Sequence, residues 1–572
     1  PEDFSFYERI KVPPPTFCPE CRLQRRIMFR NERNLYKRDC DLCGKPSFST
    51  FSADKRRPVY CPKCWWSDDW NVMEYGRDYD PNKNFLEQFA ELFSSVPAAA
   101  LGNNQPTLVN SDYVNEVGYC KNCYLIFDAD YCENVMYSTM RTNDKDSSDC
   151  YILGESELCY GNVNCRKCQK VFFTENSTDC YDVYFSRNLV GCSNCFGCTN
   201  MRNKSYHIWN RPYPKEEYQR LVADYVAKMS TRSGLRKLKK QTQDFFLKNP
   251  NRYMQGLMNK NVSGDYVYES KNAINCFRGR GIQDCKYCQF LKDETTKDSY
   301  DYTIWGGGAE LVYDSMDVGI GISGIRFSSV CALSARDCDY SIWCLGSADL
   351  FGCMGLRNKK YCILNKQYER EEYFKLRERI ITDMMINPYV DRLGRIWRYG
   401  EFMPYDLFPY AYNETMAMEH FPLSKEEVIA SGWKWKEPEP SKYQPEAKAK
   451  DLPEDIGEVR DGILEKIVEC GSCGKAYRFI SPELELLRKF GIALPEECSE
   501  CRHFARMGRM TLLKLWNRSC DCVGETSKDG AYKNILPHAH GRSACGKEFQ
   551  TAFSPERPEI VYCEECYQQE MA

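Results

Sequence analysis

The chain has 572 residues, of which 28% are charged and 14% aromatic, and its formal net charge at pH 7 is -3. This composition is typical of several globular domains, and it excludes a disordered chain, a polycation and a long apolar membrane span. The chain contains 34 cysteines but only five histidines. Histidine-dependent catalysis is therefore not expected, and without a secretory signal we expect reduced thiols in the cytoplasm.

The cysteines follow two spacing rules, and these rules divide the chain. At both ends they form Cys-x-x-Cys pairs, whereas in the middle they recur at intervals of three and six residues. We predict a mixed, multi-domain fold in which two β-solenoid arrays of hexapeptide type alternate with helical segments between zinc-ribbon modules. The predicted segments are 1–70 (zinc ribbon), 71–110 (helical connector), 111–210 (first array), 211–261 (basic helices), 262–365 (second array), 366–435 (helices), 436–455 (linker) and 456–572 (zinc ribbon).

The N-terminal module carries three Cys-x-x-Cys pairs. Four of its cysteines are predicted to saturate one tetrahedral zinc ion, which makes that site structural: Cys40, Cys43, Cys61 and Cys64. Cys18 and Cys21 form half a site, and its partners are expected upstream of Pro1. Beyond this module, the tract Phe85–Val96 has apolar residues at helical spacing and is predicted to form a connecting helix.

The first array has a strict cysteine period. Eleven cysteines share one period-three phase, which is typical of a solenoid: Cys120, Cys123, Cys132, Cys150, Cys159, Cys165, Cys168, Cys180, Cys192, Cys195 and Cys198. A period of six fits three short strands in each coil of roughly 18 residues. Asp or Asn often precedes the cysteine and suits a turn, whereas Tyr often follows it and is expected to point outward.

The second array repeats the pattern with a change of phase between Cys288 and Cys338, so we predict an insertion between them. For the cysteines of both arrays we favour an inert ladder that fills a narrow core. The alternatives are metal or iron–sulfur ligands, since Cys192, Cys195 and Cys198 have ligand spacing, and an acyltransferase, for which His207 is the only histidine within either array.

Two duplications are visible in the sequence. An unbroken offset of 155 residues relates the segment from Phe196 to Tyr218 to the segment from Phe351 to Tyr373. At the ends of the chain, CPECRLQRR at Cys18 matches CSECRHFAR, so we predict that the N-terminal module is a copy of the C-terminal one.

The C-terminal module is the more complete copy. Its first predicted zinc site consists of Cys470, Cys473, Cys498 and Cys501, with the predicted helix Ser481–Phe490 packed against it. Its second predicted site consists of Cys520, Cys545, Cys563 and Cys566. Residues 522–544 are interpreted as an insertion, in which Cys522, His538 and His540 are possible substitute ligands. The chain is thus expected to bind about three to four structural zinc ions, by the rule of four ligands for each ion.

In each module, a basic run follows a Cys-x-x-Cys-Arg motif. Arginine suits phosphate contacts and aromatic side chains stack on bases, so these runs favour nucleic acid as a partner. The alternative is a solvated helix face whose arginines pair with acids. The candidate nucleic-acid-binding residues are Arg22, Arg25, Arg26, Arg30, Arg33, Arg38, Arg502, Arg506, Arg509 and Arg518.

The chain resembles an uncharacterised family of cysteine-rich zinc-ribbon and solenoid proteins from uncultured bacteria. The motifs that carry the resemblance are Arg30–Lys45, Val59–Trp70, Tyr75–Asp80, Cys195–Asn210 and Tyr399–Asp406. The resemblance spans nearly the whole chain and implies the architecture but no activity.

The sequence is compatible with three functions. The first is a zinc-binding scaffold that binds RNA, DNA or a ribonucleoprotein through its arginine-rich modules. The second is a scaffold for protein partners on the solenoid faces, and the third is an iron–sulfur or redox protein. No catalytic residue is predicted, and no membrane partner is expected.

Overall fold

The computed structural model describes residues 2–292, 295–439 and 443–571, without the side chains of residues 2 and 141. It is a mixed α/β, multi-domain chain with many strands and with cysteine clusters at both ends. Short 3₁₀ helices lie at Val72–Tyr75, Gln105–Thr107, Lys228–Ser230, Tyr405–Leu407, Tyr412–Glu414, Ala449–Asp451, Ile456–Glu458 and Asp461–Glu465.

The N-terminal region contains short strands and four helices. Its elements are α1 (Glu2–Arg9), α2 (Pro19–Ile27), β1 (Tyr36–Asp39), β2 (Pro46–Ser49), β3 (Val59–Tyr60), α3 (Pro62–Trp65), α4 (Phe85–Ser95) and β4 (Ala98–Ala99). The predicted connecting helix is confirmed as α4, which begins at the side-chain cap of Asn84. Its apolar face, with Phe85 and Phe89, is buried in the largest apolar core of the chain.

The first array consists of short parallel strands, except that the last, two-residue strand is antiparallel to its neighbour. They are β5 (Asn115–Gly118), β6 (Tyr124–Asp130), β7 (Glu133–Thr142), β8 (Lys145–Ser148), β9 (Tyr151–Gly154), β10 (Val163–Arg166), β11 (Gln169–Phe172), β12 (Glu175–Thr178), β13 (Tyr181–Tyr184), β14 (Arg187–Val190), β15 (Ser193–Phe196), β16 (Thr199–Arg202), β17 (Ser205–Ile208) and β18 (Arg211–Pro212). Paired residues are 12 positions apart, as in Tyr151 with Val163 and Gln169 with Tyr181. The predicted coil of about 18 residues is therefore wrong. A period of six residues fits a 12-residue repeat as well as an 18-residue one.

A left-handed backbone residue at almost every third position explains the cysteine period. Asp149, Asn164, Asp179 and Asn194 all have φ between 51° and 55°, and each stands directly before a cysteine. Asn and Asp tolerate this conformation better than other residues with a side chain. The prediction that these residues occupy turn conformations is confirmed, and each following cysteine is buried.

Side-chain ladders along the array reinforce the 12-residue step. The Asn110 amide donates to Asn122 at 3.1 Å, and Asn122 donates to Asn134 at 3.0 Å. The tyrosines that follow cysteines differ in exposure. Tyr181 is exposed, whereas Tyr151 is buried because a helix of the C-terminal module covers that face.

The predicted 155-residue duplication is visible in the last turn of each array. The Asn210 side chain accepts a hydrogen bond from the Thr199 backbone at 2.8 Å, and Asn365 accepts one from Met354 at 2.8 Å. A short antiparallel strand and a helix follow in both copies. The helices after the first array are α5 (Lys215–Ala227) and α6 (Arg232–Leu247).

The second array has the same parallel pairing with irregular spacing. The short strand β19 (Asn251–Arg252) precedes it and pairs with residues 561–562 of the C-terminal module. The parallel strands of the array are β20 (Gly256–Leu257), β21 (Lys260–Tyr268), β22 (Lys271–Arg280), β23 (Ile282–Lys286), β24 (Gln289–Lys292), β25 (Thr296–Lys297), β26 (Tyr300–Gly306), β27 (Tyr313–Gly319), β28 (Ser323–Arg326), β29 (Arg336–Asp339), β30 (Ala348–Phe351) and β31 (Lys360–Ile363), and β32 (Lys366–Gln367) is antiparallel to β31. Gln289 pairs with Thr303, 14 positions on, and Tyr300 pairs with Tyr313, 13 positions on. The predicted change of phase thus arises from several lengthened steps rather than one insertion.

The remaining helical and C-terminal segments complete the chain. Their elements are α7 (Arg370–Ile386), β33 (Tyr389–Val390), β34 (Ile396–Trp397), α8 (Met416–His420), α9 (Lys425–Ala430), β35 (Ala447–Lys448), β36 (Val468–Glu469), β37 (Ala476–Tyr477), α10 (Ser481–Phe490), α11 (Ser499–Met507), β38 (Trp516–Ser519), β39 (Glu548–Thr551), β40 (Val561–Tyr562) and α12 (Glu564–Glu570). The predicted helix Ser481–Phe490 is confirmed as α10.

The predicted linker, 436–455, makes specific contacts in its described part, while its residues 440–442 lie outside the described residues. The ammonium group of Lys436 lies 3.1 Å from the carboxylate of Asp54. Farther on, β35 pairs with β36, and Arg232 donates to the backbone oxygen of Ala449 at 2.9 Å. This segment therefore contacts the N-terminal module, helix α6 and the C-terminal module.

Candidate metal centres and their contacts with the arrays

The N-terminal module brings its four predicted zinc ligands together. The ligand atoms of Cys40, Cys43, Cys61 and Cys64 all lie within 4.8 Å of one another. The Sγ atoms of Cys43 and Cys61 are 4.0 Å apart. Four sulfurs about 2.3 Å from a tetrahedral ion lie about 3.8 Å from each other, so the thiols are spaced to hold one ion.

Backbone N–H groups prepare this cluster for a metal. The Cys61 N–H donates to the Cys40 Sγ at 3.2 Å. Although burial raises the pKa of the Cys40 thiol, N–H groups of Cys43, Cys61 and Leu42 lower it to about 7. A thiol that deprotonates near neutral pH is ready to bind a metal as the thiolate.

The first C-terminal cluster has the same geometry. Its ligands are Cys470, Cys473, Cys498 and Cys501, as predicted. The Sγ atoms of Cys470 and Cys501 are 3.8 Å apart, and so are those of Cys473 and Cys498. The Cys498 N–H donates to the Cys470 Sγ at 3.2 Å. Burial raises the pKa of the Cys470 thiol, but backbone N–H groups of Cys473, Cys498 and Ser472 lower it to about 7.

The second C-terminal cluster also forms as predicted, from Cys520, Cys545, Cys563 and Cys566. It matches the N-terminal cluster in the contacts that surround it. Asp41 accepts a hydrogen bond from the backbone of Val59 at 2.7 Å, and Asp521 accepts one from Val561 at 2.8 Å. These equivalent contacts hold the two pairs of each site together, which supports the predicted duplication of the modules.

The half-site at Cys18 and Cys21 stands at the start of α2. Cys18 caps this helix, and its Sγ accepts a hydrogen bond from the Cys21 N–H at 3.4 Å. Within the described ranges, neither cysteine belongs to a group of three or more candidate ligands. Both thiols are exposed.

The array cysteines are arranged differently from the terminal ones. The Cys195 thiol donates to the backbone oxygen of Ser193 at 3.3 Å, and the Cys338 thiol donates to that of Arg336 at 3.3 Å. Burial raises the pKa of Cys338 well above its ordinary value. In the part of the chain that the structure describes, the candidate metal clusters contain no array cysteine. These contacts fit an inert ladder of neutral thiols.

The basic run of the N-terminal module is buried against the second array. Helix α2 packs on β26 and β27, where the Arg25 and Arg26 side chains are 0% exposed. Both guanidinium groups contact the carboxylate of Asp314, at 2.6 and 2.8 Å respectively. The neighbouring Arg22 lies 2.7 Å from Asp301. A buried arginine is stable only with such a partner.

The C-terminal module makes the equivalent contact with the first array. Helix α11 packs on β7 and β9. Arg506, which matches Arg26 in the sequence duplication, lies 2.7 Å from Asp149, and Arg502 lies 3.1 Å from the same carboxylate. Each metal module therefore attaches to the array that is distant from it in sequence.

The structure buries six of the ten arginines predicted to face nucleic acid. The buried and paired residues are Arg22, Arg25, Arg26, Arg30, Arg502 and Arg506. The other four candidates, which are partly exposed, also contact acids: Arg33, Arg38, Arg509 and Arg518. Each of the ten arginines thus has an acidic partner within the protein.

Sequence reasoning missed the acids that receive these arginines. Asp301 and Asp314 are 0% exposed, and Asp149 is nearly so. The available signal was the presence of aspartates in the apolar strands β26 and β27, since a buried carboxylate needs a partner such as a cation.

A buried aspartate at the contact with the C-terminal module is expected to make stability depend on pH. Asp265 is 1% exposed and accepts a hydrogen bond from the Thr511 hydroxyl at 2.5 Å. Burial raises its pKa to about 6. A raised carboxyl pKa adds stability at low pH that is lost as pH rises, here by about 2 kcal/mol between pH 4 and pH 6.

The variant Asp265→Asn lacks this titration, so its stability relative to the wild type is expected to increase across the same range. Urea unfolding at pH 4, 5, 6 and 7 measures the difference between the two proteins and cancels the pH dependence that they share. Asp112→Asn, at an exposed side chain, is the control and is expected to follow the wild type. A constant difference between Asp265→Asn and wild type would contradict the prediction.

No protein-family model matches the chain, and no curated protein matches it. Among solved structures, the chain is similar to one from Desulfovibrio desulfuricans G20 that is provisionally described as an acetyltransferase. The identity is 9% and the TM-score 0.11, over 52% of this chain and 87% of that one. A similarity this weak supports no conclusion about fold or activity. Separately, the described helices include none with the length and apolar character needed to cross a membrane.

Proposed function

We propose that the chain is a zinc-binding structural scaffold in which two metal modules clamp two β-solenoids. The observation that carries this proposal is the repeated burial of an arginine on the helix after the Cys-x-x-Cys pair. Arg26 is buried with Asp314 of the second array, and Arg506 with Asp149 of the first. Such pairs require a precisely placed helix, and at α11, which begins beside the cluster ligands Cys498 and Cys501, a structural metal supplies that placement.

The solenoid part of the proposal is supported by the pairing and the backbone. Parallel strands repeat every 12 residues in the first array, and left-handed residues recur every third position. A 12-residue coil with cysteines inside accounts for both observations. We also propose that the chain belongs to the cysteine-rich family that it resembles, because the motifs of that resemblance include the ligands of the Cys40 cluster.

Zinc is proposed as the metal because three clusters offer four thiolates each. Such sets saturate a tetrahedral ion and are typical of structural zinc sites. The structure contains no disulfide among its 34 cysteines, all of which are described. This supports a reducing location, and we propose the cytoplasm. The iron–sulfur alternative has no support from the array thiols, which donate to backbone oxygens.

Protein is the partner class that the surface favours. Tyr119 and Tyr131 are exposed on the first array and stack with ring centroids 4.7 Å apart. Tyrosine is enriched at protein interfaces, where it offers apolar area and a hydroxyl group. Nucleic acid is the alternative, and it would have to use residues other than the paired arginines.

Three measurements on the purified full-length chain test this proposal. Elemental analysis is expected to find zinc rather than iron. Filter binding with single-stranded RNA and duplex DNA at low salt is expected to show no retention, since salt-sensitive retention is the mark of phosphate contacts. After nuclease treatment, proteins captured by the wild type are expected to be lost with Tyr119→Ser/Tyr131→Ser but kept with Tyr181→Ser. Nucleic-acid retention that falls with salt would overturn the choice of partner, and absence of zinc would overturn the scaffold.

A further inference from the structure

The C-terminal module contains a fourth candidate metal cluster that overlaps the Cys520 cluster. Its ligands are Cys522, His538, His540 and Cys566, and all four ligand atoms lie within 4.8 Å of one another. Cys566 also belongs to the Cys520 cluster. The two sets therefore share one sulfur atom.

The distances in this second set suit a tetrahedral ion. The Cys522 Sγ lies 3.1 Å from His538 Nδ1 and 3.4 Å from His540 Nε2. The Cys566 Sγ lies 3.3 Å from the same His540 nitrogen. In a tetrahedral zinc site the nitrogen–sulfur separation is about 3.5 Å, from bond lengths of about 2.0 and 2.3 Å.

Contacts on the outer side of both histidines fix their tautomers. His538 Nε2 lies 2.8 Å from the Glu570 carboxylate, and the two side chains are 0% and 2% exposed. His540 Nδ1 lies 2.8 Å from the backbone oxygen of Ser543. Both oxygens only accept hydrogen bonds, so the outer nitrogens carry the protons and the inner ones point bare lone pairs at Cys522. A carboxylate or carbonyl behind each histidine is the usual support of a metal-bound imidazole.

The three ligands that are specific to this set come from the insertion, 522–544. The N-terminal copy lacks it, because Cys40 and Cys43 are separated by only two residues. A connection of this length normally has a function or packs a core of its own. Here Ile535 and Leu536 are 66% and 55% exposed, so a large apolar core does not hold the segment.

Charge gives a separate reason for a second ion. Together the two sets contain five cysteines. Four thiolates with one divalent ion carry a net charge of about -2, and adding a second divalent ion together with the Cys522 thiolate changes it to about -1. A second cation beside Cys522 is therefore favoured. Cys522 is fully buried, and its Sγ accepts a hydrogen bond from the Asn534 amide at 3.2 Å.

We propose that the C-terminal module binds two divalent, thiophilic metal ions of the zinc class, bridged by the Cys566 thiolate. One ion takes its other ligands from Cys520, Cys545 and Cys563. The second ion takes its other ligands from Cys522, His538 and His540. This inference rests on the proposed metal binding at the Cys520 cluster and adds a site that the duplicated N-terminal module does not have.

The test uses the full-length chain loaded with ¹¹³Cd²⁺ and observed by ¹¹³Cd NMR. Four resonances are expected from the four clusters. Three belong to all-sulfur sites, and one is shifted upfield by its two nitrogens. The upfield resonance and one all-sulfur resonance are expected to split each other through the shared sulfur. Zinc-loaded protein is expected to contain four ions per chain.

His538→Ala/His540→Ala is expected to lose the upfield resonance and the splitting, and to bind one zinc ion fewer, while the other three resonances stay. His207→Ala, at a histidine of the first array, is the control and is expected to keep all four. Three unsplit resonances and three zinc ions in the wild type would overturn the bridged pair and leave the proposed scaffold intact. Absence of every all-sulfur resonance would overturn the proposed function itself.

Discussion

Replacing Cys498 by Ser is expected to remove one metal ion from the chain and to unfold the part of the C-terminal module that contains α10 and α11. Cys498 is one of four ligands, and three thiolates do not saturate a tetrahedral ion. Structural zinc contributes about 10–16 kcal/mol to the folding of small zinc domains. A loss of this size exceeds the roughly 1.5–3 kcal/mol that each buried leucine of α10 contributes to the apolar core it shares with the first array.

The loss is expected to reach the first array, because α11 covers one of its faces. Arg506 then leaves Asp149, and Tyr151 loses its contact with His503. Elemental analysis measures the metal-to-protein ratio, and hydrogen exchange measures the protection of α10, α11 and strand β9. Faster exchange in all three elements is the expected result.

Cys195→Ser is the matched control for this prediction. Like Cys498, Cys195 is buried, but its thiol donates to the backbone oxygen of Ser193 at 3.3 Å, a bond that a serine hydroxyl can replace. The metal ratio of this variant is expected to equal that of the wild type. An equal loss of metal in both variants would show that array cysteines bind metal and would contradict the assignment.

The metal clusters could be predicted from sequence because their ligands are local. Each Cys-x-x-Cys pair is formed within one turn: Cys40 and Cys43 lie in the turn of the β1–β2 hairpin and meet the next pair, which follows β3. The period of three was also readable, since a left-handed residue before each cysteine favours Asn or Asp. The coil length was not, because cysteines six apart are compatible with both 12 and 18 residues.

The role of the arginines could not be predicted, because their partners are remote in sequence. Arg26 and Asp314 are 288 residues apart, and Arg506 and Asp149 are 357 apart. A basic run has the same sequence whether it faces phosphate or a buried carboxylate. Only the tertiary contact shows which of the two satisfies its charge.

Asp314→Asn is expected to release the N-terminal module from the second array. The carboxylate of Asp314 is the shared partner of Arg25 and Arg26, and all three side chains are 0% exposed. An amide removes the charge and leaves Arg25 with Glu401 and Arg26 with Asp301 at 3.3 Å. Removing one partner of a buried ion pair costs about 3–5 kcal/mol, because the remaining charge is still buried.

This cost is expected to appear as a lower urea midpoint and as faster hydrogen exchange in α2, β26 and β27, with an unchanged metal ratio. Glu20→Gln, on helix α2, is the matched control. Its carboxylate lies 3.1 Å from Lys514, but both side chains are about half exposed, and such a pair contributes about 0–1 kcal/mol. If the two variants lower the midpoint equally, the arginines do not clamp the module to the array. A lower urea midpoint for Asp314→Asn but not for Glu20→Gln, with all metal still bound, would show that the module and the array stay folded and that the buried arginine pairs join them.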